Sequence, residues 1–221
     1  MKIIKQSAFN FLEEIAVNNN REWFLENKER YLWIKKEIDT FAAHWFGELN
    51  KFDESLQNPW EKPYVFRIYR DARFAKGRPY KKNYGILIGE WWKPAMHQKA
   101  GYFLNIEPGN SFLIWGIWRP EAFLLKNIRN NIVENPNEIK DLLNDKKFKK
   151  YFKLRWSQLK TAPRGFPKDH PEIELLRYKD FYAVYNFKDE EVLSEDFMKQ
   201  LVKISKILYP FGVYINKISV K

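Results

Sequence analysis

Residues 100–118 read AGYFLNIEPGNSFLIWGIW and give the clearest structural signal in the chain. Runs of aromatic and β-branched residues, which are typical of strands, lie on either side of Glu107-Pro-Gly-Asn-Ser111. The composition between the two runs is typical of a tight turn. The stretch therefore predicts a β-hairpin with strands at about 100–107 and 111–118.

Three further segments predict strands that extend this hairpin into a sheet. Two of them, at about 65–73 and 84–90, belong to a region rich in aromatic and β-branched residues that Gly and Pro interrupt. The third, Phe181-Tyr-Ala-Val-Tyr-Asn-Phe187, is a late strand of mostly apolar residues. The sheet is therefore expected to draw on the middle of the chain and on one segment near its end.

Helical periodicity dominates the rest of the chain. The sequence opens with a short amphipathic helix, and a longer helix is predicted from Asn20 to about Leu49. After the hairpin, a proline at the first helical position predicts helices that begin at Pro120 and Pro136. The last helix is expected to stop at Pro210, because proline disrupts a helix interior.

The order of these elements predicts an α+β fold. Helices come first, then a strand meander, then helices with one late strand, which differs from the alternation of a doubly wound α/β fold. No internal repeat and no Ser/Gly/Pro linker interrupts the sequence, so one domain is expected over residues 1–221. We expect a mainly antiparallel sheet, with an N-terminal helix pair and C-terminal helices packed on it.

The composition excludes several classes of protein. Of the 221 residues, 45% are hydrophobic and 18% aromatic, so the core does not depend on disulfides or metals. There is no cysteine, which excludes disulfide frameworks, thiol nucleophiles and thiolate zinc sites. No apolar run approaches the roughly 18 residues of a membrane span and no signal peptide is recognisable. A cytoplasmic protein without a membrane partner is therefore expected.

The net charge of +11 attracts nucleic acids, phosphorylated metabolites and other anions. Much of the excess is lysine scattered along predicted helices, as in Lys146-Lys147 and Lys149-Lys150. Lysine-rich solvated helix faces are also common in proteins that never touch nucleic acid. The charge is therefore consistent with an anionic partner and equally with an ordinary solvated basic surface.

The densest group of arginines lies in residues 66–74, FRIYRDARF. As a strand, this segment would place Arg67, Asp71 and Arg73 on one face and Arg70 on the apolar face. A carboxylate between two guanidinium groups would fix their orientation and leave donors free for a phosphate or carboxylate. Arg70 would need a buried partner, for which Glu107 is one candidate.

The loop after this segment, residues 75–83, adds four cations and a Pro79-Tyr80 pair that can present an aromatic face. Cations interleaved with aromatic rings suit phosphate binding with base or sugar stacking, and the same composition also describes a solvated hairpin connection. Two more arginines lie just before a predicted helix and in a late loop. The expected ligand-binding residues are Arg67, Arg70, Arg73, Tyr80, Lys81, Arg119 and Arg164.

The three histidines are the main candidates for acid–base catalysis, and none belongs to an HxH or HExxH motif. His44 lies in a predicted helix and His97 in a polar loop. If the protein is an enzyme, we expect His170 to act as general acid or base, with Asp169 or Asp71 orienting it. The equally weighted alternative is that Asp169 and His170 cap the short helix that follows.

No metal site and no cofactor are expected from the sequence. A histidine-built metal site lacks its spacing, and a carboxylate site for magnesium has no signature. The glycines stand alone, without the spacing of a phosphate loop or a dinucleotide fingerprint. Whether the protein is an enzyme and whether it forms oligomers are left open by these residues.

Several motifs carry a resemblance to a known family. Residues 67–74 follow the pattern RxxRDxRF, and PYK follows at 79–81. Further motifs occur in order along the chain: NNREWF at 19–24, IEPG at 106–109, GIWRP at 116–120 and APRGF at 162–166. Together they resemble a bacterial family of conserved hypothetical proteins, domain of unknown function 2461. The resemblance implies a bacterial protein but no activity, because the family is named for having none assigned.

The chain departs from the family pattern in the loop before Pro79. Where the family carries Asp or Asn followed by Lys, this chain reads Lys76-Gly77-Arg78 and is one residue shorter. If that acidic or amide side chain has a chemical role in the family, the resemblance implies that this chain has lost it.

Three functions are consistent with these residues. The first is a pocket, binding or enzymatic, for a small phosphate- or carboxylate-bearing ligand held by the arginines. The second is a nucleic-acid-binding module that uses the basic loop 76–82. The third is a structural or protein-interaction role, in which the arginines and Asp71 form an internal network.

Overall fold

The computed structural model of the protein describes residues 4–56, 64–75, 77–89, 99–154 and 157–219. Its helices are α1 (Gln6–Val17), α2 (Arg21–Glu26), α3 (Lys28–Leu49), α4 (Ala122–Glu134), α5 (Pro136–Asn144), α6 (Lys146–Tyr151), α7 (Ile173–Leu176), α8 (Asp189–Val192) and α9 (Phe197–Ser219). Short 3-10 helices lie at Glu54–Leu56 and Ala72–Phe74.

The strands are β1 (Tyr64–Val65), β2 (Tyr84–Ile88), β3 (Gly101–Ile106), β4 (Ser111–Ile117), β5 (Lys153–Leu154) and β6 (Phe181–Phe187). They form a six-stranded sheet in the order β1-β2-β3-β4-β6-β5. β1 pairs antiparallel with β2, with Tyr64 opposite Leu87, and β5 pairs antiparallel with β6. The predicted α+β class is confirmed, including the helices at the two ends of the chain.

The chain forms two compact units. The first contains the described residues up to Ile88 together with Phe103–Leu113 and Asn186–Val202. The second contains Gly89–Tyr102, Ile114–Tyr185 and the residues from Lys203 onward. The single domain expected over residues 1–221 stays a prediction.

In the first unit, α3 packs against α1, β1 and β2. Its residues Ile34, Ile38 and Phe41 follow helical spacing and are at most 1% exposed. The ring of Phe41 also stacks on Phe197, with the centroids 5.7 Å apart. This core fixes the end of β1, from which the arginine-dense segment continues.

In the second unit, the indole of Trp115 on β4 lies between two aromatic rings. It stacks on Tyr102 at 4.0 Å and on Tyr209 of α9 at 5.7 Å between ring centroids. The backbone of Gly212 on α9 approaches the same indole so closely that a Cβ at this position would lie 2.1 Å from it. The packing of α9 on Trp115 therefore depends on the absence of a side chain at Gly212.

Buried polar groups hold the irregular segment before β6 in the second unit. The carboxylate of Asp180, which is 5% exposed, accepts the backbone N–H of Arg119 at 2.8 Å. Arg129 on α4 donates to the carbonyls of Leu176 and Tyr178 at 2.8 and 3.1 Å. Burial lowers the pKa of Arg129, as expected for a guanidinium that donates to neutral carbonyls. These side chains bond to backbone groups of the loop after β4 and of the segment before β6.

The helix predicted from Asn20 to Leu49 is divided at Asn27, which follows α2 and precedes α3. The side-chain amide of Asn27 donates to the carbonyl of Trp23 at 3.0 Å. A side chain that bonds to the preceding turn competes with the backbone ladder, so the first helix ends there.

The strand predicted at about 65–73 is wrong beyond Val65, where β1 ends. Tyr69 forms an isolated bridge, and the Asp71 carboxylate accepts the backbone N–H of Arg73 and caps the 3-10 helix at Ala72–Phe74. Because β1 ends at Val65 and the segment then forms a 3-10 helix, side chains do not alternate between two faces over 67–73. The shared face predicted for Arg67, Asp71 and Arg73 is therefore absent.

The last helix does not stop at Pro210, because α9 continues to Ser219. A proline inside a helix costs about 3 kcal/mol through the lost hydrogen bond and the steric clash. Beyond it, Phe211, Ile215 and Ile218 are all buried. Each contributes about 1.5–3 kcal/mol when fully buried, so together they outweigh the cost of the proline.

Candidate functional site

The arginine motif and the Pro79-Tyr80-Lys81 segment lie side by side in the first unit. The backbone N–H of Arg70 donates to the Pro79 carbonyl at 2.8 Å, and that of Lys81 donates to the Ile68 carbonyl at 2.7 Å. Between these two bonds, Tyr69 and Tyr80 form an antiparallel bridge. The two stretches that are separated by the basic loop in sequence therefore form one local structure.

Asn19, which precedes α2, binds the backbone of Tyr80 through both ends of its amide. Its Oδ1 accepts the Tyr80 N–H at 2.9 Å, and its Nδ2 donates to the Tyr80 carbonyl at 3.0 Å. Arg70 Nε donates to the same carbonyl at 2.9 Å. The ring of Tyr80 is only 4% exposed and stacks on Phe24 at 4.2 Å. Tyr80 thus anchors the site from the core, and the open aromatic face predicted for it is not present.

Asp71 and Arg73 form a bidentate ion pair. Arg73 Nε donates to Asp71 Oδ1 at 3.0 Å, Nη2 donates to Oδ2 at 2.6 Å, and the Arg73 backbone N–H donates to Oδ1 at 3.0 Å. These bonds, with a smaller contribution from the charge of Arg67, lower the pKa of Asp71 to about 2. The carboxylate therefore binds one of the two arginines that were expected to share it.

We expect the Asp71 carboxyl to stay ionised where an ordinary aspartate, with a pKa of about 4, takes up its proton. Since the folded-state pKa is lowered to about 2, the pair stabilises the folded state above the ordinary pKa, and this contribution is lost as the pH falls through about 2. An NMR titration of the carboxyl carbon measures this pKa. Arg73→Ala should raise it toward the ordinary value, whereas Arg78→Ala should not change it. An Arg73→Ala protein with an unaltered Asp71 pKa would contradict the pairing.

Arg67, Arg70 and Lys81 form what we call the cation cluster. Arg67 is exposed, and its guanidinium has no hydrogen bond or ion pair among the described residues. Arg70 is half-buried and uses Nε on Tyr80, which leaves its two terminal nitrogens without a partner in the same ranges. Lys81 Nζ donates to the Arg67 carbonyl at 3.0 Å and lies 5.1 Å from the centroid of the Phe66 ring.

No member of the cation cluster forms an ion pair with a described carboxylate, although Arg67 is close enough to Asp71 to contribute to its lowered pKa. Burial, followed by the nearby Arg67 and Arg70, lowers the pKa of the Lys81 amine. The nearest carboxylate in sequence, Asp71, is occupied by Arg73. The three side chains therefore create a local positive potential with free guanidinium donors beside it.

Glu107, the predicted partner of Arg70, has other partners. It is 8% exposed, forms an ion pair with Lys82 at 2.8 Å and accepts from Asn110 Nδ2 at 2.9 Å. Burial raises the pKa of Glu107, but the hydrogen bonds from Lys82 and neighbouring asparagines outweigh it, so the pKa lies below its usual value. Glu107 is therefore not the partner of Arg70. The chain leaves the strand before Arg70, whose Nε donates to the Tyr80 carbonyl instead.

Arg119 and Arg164 belong to the second unit, where both are exposed. Arg119 has a positive φ of 51°, and its guanidinium lies 4.6 Å from the centroid of the Trp118 ring. α4 begins at Ala122 rather than at Pro120. The ligand-binding roles of Arg119 and Arg164 stay predictions, and the cation cluster contains residues of the first unit alone.

His170 also lies in the second unit, at the start of α7. Its Nδ1 accepts the backbone N–H of Glu172 at 3.0 Å, but Glu172 is itself the N-cap residue of α7 and no side chain caps that helix, so the capping alternative also stays a prediction. Asp169 is exposed, and Asp71 belongs to the first unit. The acid–base role of His170 stays a prediction, and His97 lies outside the described residues.

Within the described ranges, no three histidine, aspartate or glutamate side chains lie close enough together to hold a metal ion. Nor does any helix in this part of the chain combine the length and the apolar character that a membrane crossing needs.

Three residues at this site were missed by the sequence analysis: Asn19, Arg21 and Tyr69. Asn19 and Arg21 belong to the NNREWF motif, which was noticed for its resemblance but assigned no role. Burial raises the pKa of Tyr80, and Arg21 is close enough to counteract this effect in part. Tyr69 was treated as one member of a regular strand face, whereas it is 46% exposed and lies between Arg67 and Arg70 in the chain. Asn19 lies 61 positions before Tyr80, so no local signal in the sequence indicated that the two residues meet.

A comparison with known protein families matches residues 7–214 to the family described as conserved hypothetical protein (DUF2461). The match includes α1, the arginine motif, the β3–β4 hairpin and most of α9. A search of curated proteins finds no significant match. Because the matched region spans nearly the whole chain, the protein belongs to the DUF2461 family of conserved hypothetical proteins.

Proposed function

We propose that the first unit binds a small anionic ligand, bearing a phosphate or carboxylate group, at the cation cluster of Arg67, Arg70 and Lys81. One observation carries this proposal: Lys81 Nζ is bonded to the Arg67 carbonyl at 3.0 Å and lies within range of the charges of both Arg67 and Arg70, and none of the three cations forms an ion pair with a described carboxylate. Like charges held together repel, and a bound anion relieves that repulsion. The proposal does not include a catalytic step.

The arrangement of donors supports an oxyanion as the ligand. A guanidinium presents planar, paired N–H groups that match the oxygens of phosphate or carboxylate. The bond from Arg70 Nε to the Tyr80 carbonyl orients this side chain before any ligand arrives, so less freedom is lost on binding. Lys81 adds a third charge that is partly desolvated, which strengthens its attraction to an anion.

Arg73 is left out of the proposed ligand set because its donors are directed at Asp71. The ion pair within the motif joins Asp71 to Arg73 and includes neither Arg67 nor Arg70, and the internal-network function considered from the sequence stays a prediction. The same stretch of chain combines a satisfied ion pair with unsatisfied cations.

Isothermal titration calorimetry with pyrophosphate tests the proposal. We expect measurable binding by the native protein and at least ~10-fold weaker binding by Arg67→Ala, since a charged hydrogen bond contributes about 1.5–3 kcal/mol. Arg78→Ala is the matched control, because it removes the same charge from an exposed position nearby. We expect it to change the affinity less than 2-fold, in keeping with the small contribution of exposed charges.

Two outcomes would overturn the proposal. One is the absence of pyrophosphate binding by the native protein at low salt. The other is equal weakening by Arg67→Ala and Arg78→Ala, which would indicate attraction to the general positive field. Nucleic-acid binding through the basic loop 76–82 would instead show a steep salt dependence, with a slope of about one unit per phosphate contacted.

We also infer a bacterial, cytoplasmic setting for this binding. The resemblance carried by the sequence motifs implies the first part, and the absence of cysteine fits a reducing compartment. Small anionic metabolites are present in the cytoplasm, so a ligand of the proposed class would be available there.

A further inference from the structure

One exposed aromatic ring accompanies the cation cluster. Tyr69 is 46% exposed, whereas Tyr80, its partner in the backbone bridge, is 4% exposed. A single exposed aromatic residue is ordinary on a protein surface. The position of Tyr69 makes it a candidate ligand contact. It lies between Arg67 and Arg70 in the chain and pairs with Tyr80, to whose carbonyl Arg70 is bonded.

The ring of Tyr69 is supported by other rings. Its centroid lies 5.6 Å from that of Phe24 in an edge-on arrangement and 5.4 Å from that of Tyr80 in a tilted one. Phe24 and Tyr80 are themselves stacked in the core of the first unit. A ring packed in this way keeps its orientation while nearly half of its surface stays open, so a flat ligand can stack on it without ordering the side chain first.

Several cations lie close to this aromatic platform along the chain. Arg67 and Arg70 flank Tyr69 in sequence, and Lys81 follows its bridge partner. Arg21, at the first position of α2, is close enough to Tyr80 to affect its phenol. A phosphate alone would use the cations and leave the exposed ring without a role, whereas a phosphorylated ligand that also carries a flat ring would use both.

We propose that the ligand of the cation cluster is a nucleoside monophosphate or a similar molecule, whose phosphate binds Arg67, Arg70 and Lys81 and whose base stacks on Tyr69. This inference rests on the proposed function, since it adds the base to the same phosphate site. Base–aromatic stacking tolerates any base, because every base has a π-face, and it contributes about 1–3 kcal/mol per base. We therefore expect little discrimination among the four common bases.

The test compares AMP with ribose 5-phosphate, which has the sugar and phosphate but no base. By calorimetry, AMP should bind the native protein at least ~10-fold more tightly, in line with the stacking contribution. Tyr69→Ala should abolish this preference while leaving ribose 5-phosphate binding unchanged, and Tyr69→Phe should retain it. Tyr64→Ala is the control, because Tyr64 is an exposed tyrosine of the same unit at 39% and packs on Phe66 instead.

Each outcome separates this inference from the proposed function. If neither AMP nor ribose 5-phosphate binds, the proposed function fails and the inference fails with it. If both bind equally, or if Tyr69→Ala keeps the preference for AMP, the inference is overturned and the phosphate site stands. Much tighter binding of single-stranded oligonucleotides than of AMP, increasing with their length, would overturn it in favour of nucleic-acid recognition.

Discussion

Gly212→Ala should destabilise the protein severely, even though alanine is the better helix former. The new Cβ would lie 2.1 Å from two carbon atoms of the Trp115 ring, well inside van der Waals contact. The indole cannot easily give way, because it is 1% exposed and stacks on Tyr102. Overpacking of this kind costs about 1–3 kcal/mol and occasionally more, and we expect a loss near or above about 3 kcal/mol. Chemical denaturation of the two proteins measures it.

Gly47→Ala is the matched control for this prediction. Gly47 also lies within a long helix, α3, but no atom outside the helix lies within 4 Å of the place where its Cβ would be. The helix propensity of alanine should then dominate and stabilise the protein by about 0.5–1 kcal/mol. If both substitutions stabilise the protein, the close approach of α9 to Trp115 is contradicted.

Asn19→Ala is expected to affect both stability and anion binding. The substitution removes the acceptor of the Tyr80 N–H and one of the two donors to the Tyr80 carbonyl. An N–H left without a partner costs about 1–3 kcal/mol, so we expect a loss of about 2 kcal/mol by denaturation. Since Arg70 is oriented by the same carbonyl, pyrophosphate should also bind several-fold more weakly.

Asn20→Ala separates these two effects. Asn20 is the neighbouring asparagine, and its Oδ1 accepts the Trp23 N–H at 2.9 Å as the cap of α2. Loss of a cap costs about 1 kcal/mol, and we expect no change in pyrophosphate affinity. If Asn19→Ala proves as mild as Asn20→Ala and leaves binding unaltered, then Asn19 does not position the site.

The elements that the sequence predicted well are those with local signals. The β3–β4 hairpin has apolar strands around a turn composed of Pro, Gly and Asn, and β6 matches the predicted strand from Phe181 to Phe187. Both signals lie within a few residues of one another, so no distant partner is needed to interpret them. The helix through Pro210 shows the opposite case, because buried contacts elsewhere in the chain override a strong local signal.

The candidate site was predicted as a list of residues rather than as an arrangement. Strand periodicity assigned Arg67, Asp71 and Arg73 to one face, but the strand ends at Val65 and Asp71 caps a 3-10 helix instead. The pairing of Asn19 with Tyr80 joins residues 61 positions apart, and no spacing rule indicates it. Sequence therefore identified the motif, while the local pairing of Arg73 with Asp71 and the bond from Arg70 to Tyr80 determined which of its donors are free.

The three arginines of the motif consequently have different roles. Arg73 is bound by Asp71, Arg70 combines a bond to the Tyr80 carbonyl with free terminal nitrogens, and Arg67 is free among the described residues. A substitution scan should reflect this order. Replacing Arg67 should weaken anion binding strongly with little loss of stability, and replacing Arg73 should weaken anion binding the least.

A crystal structure of the protein grown with pyrophosphate is the most direct test of the anion site. We predict phosphate oxygens within hydrogen-bond distance of the guanidinium groups of Arg67 and Arg70 and of Lys81 Nζ, with Arg73 still paired to Asp71. Pyrophosphate bound elsewhere on the chain, with the cation cluster engaged by carboxylates of the protein itself, would contradict the proposed function.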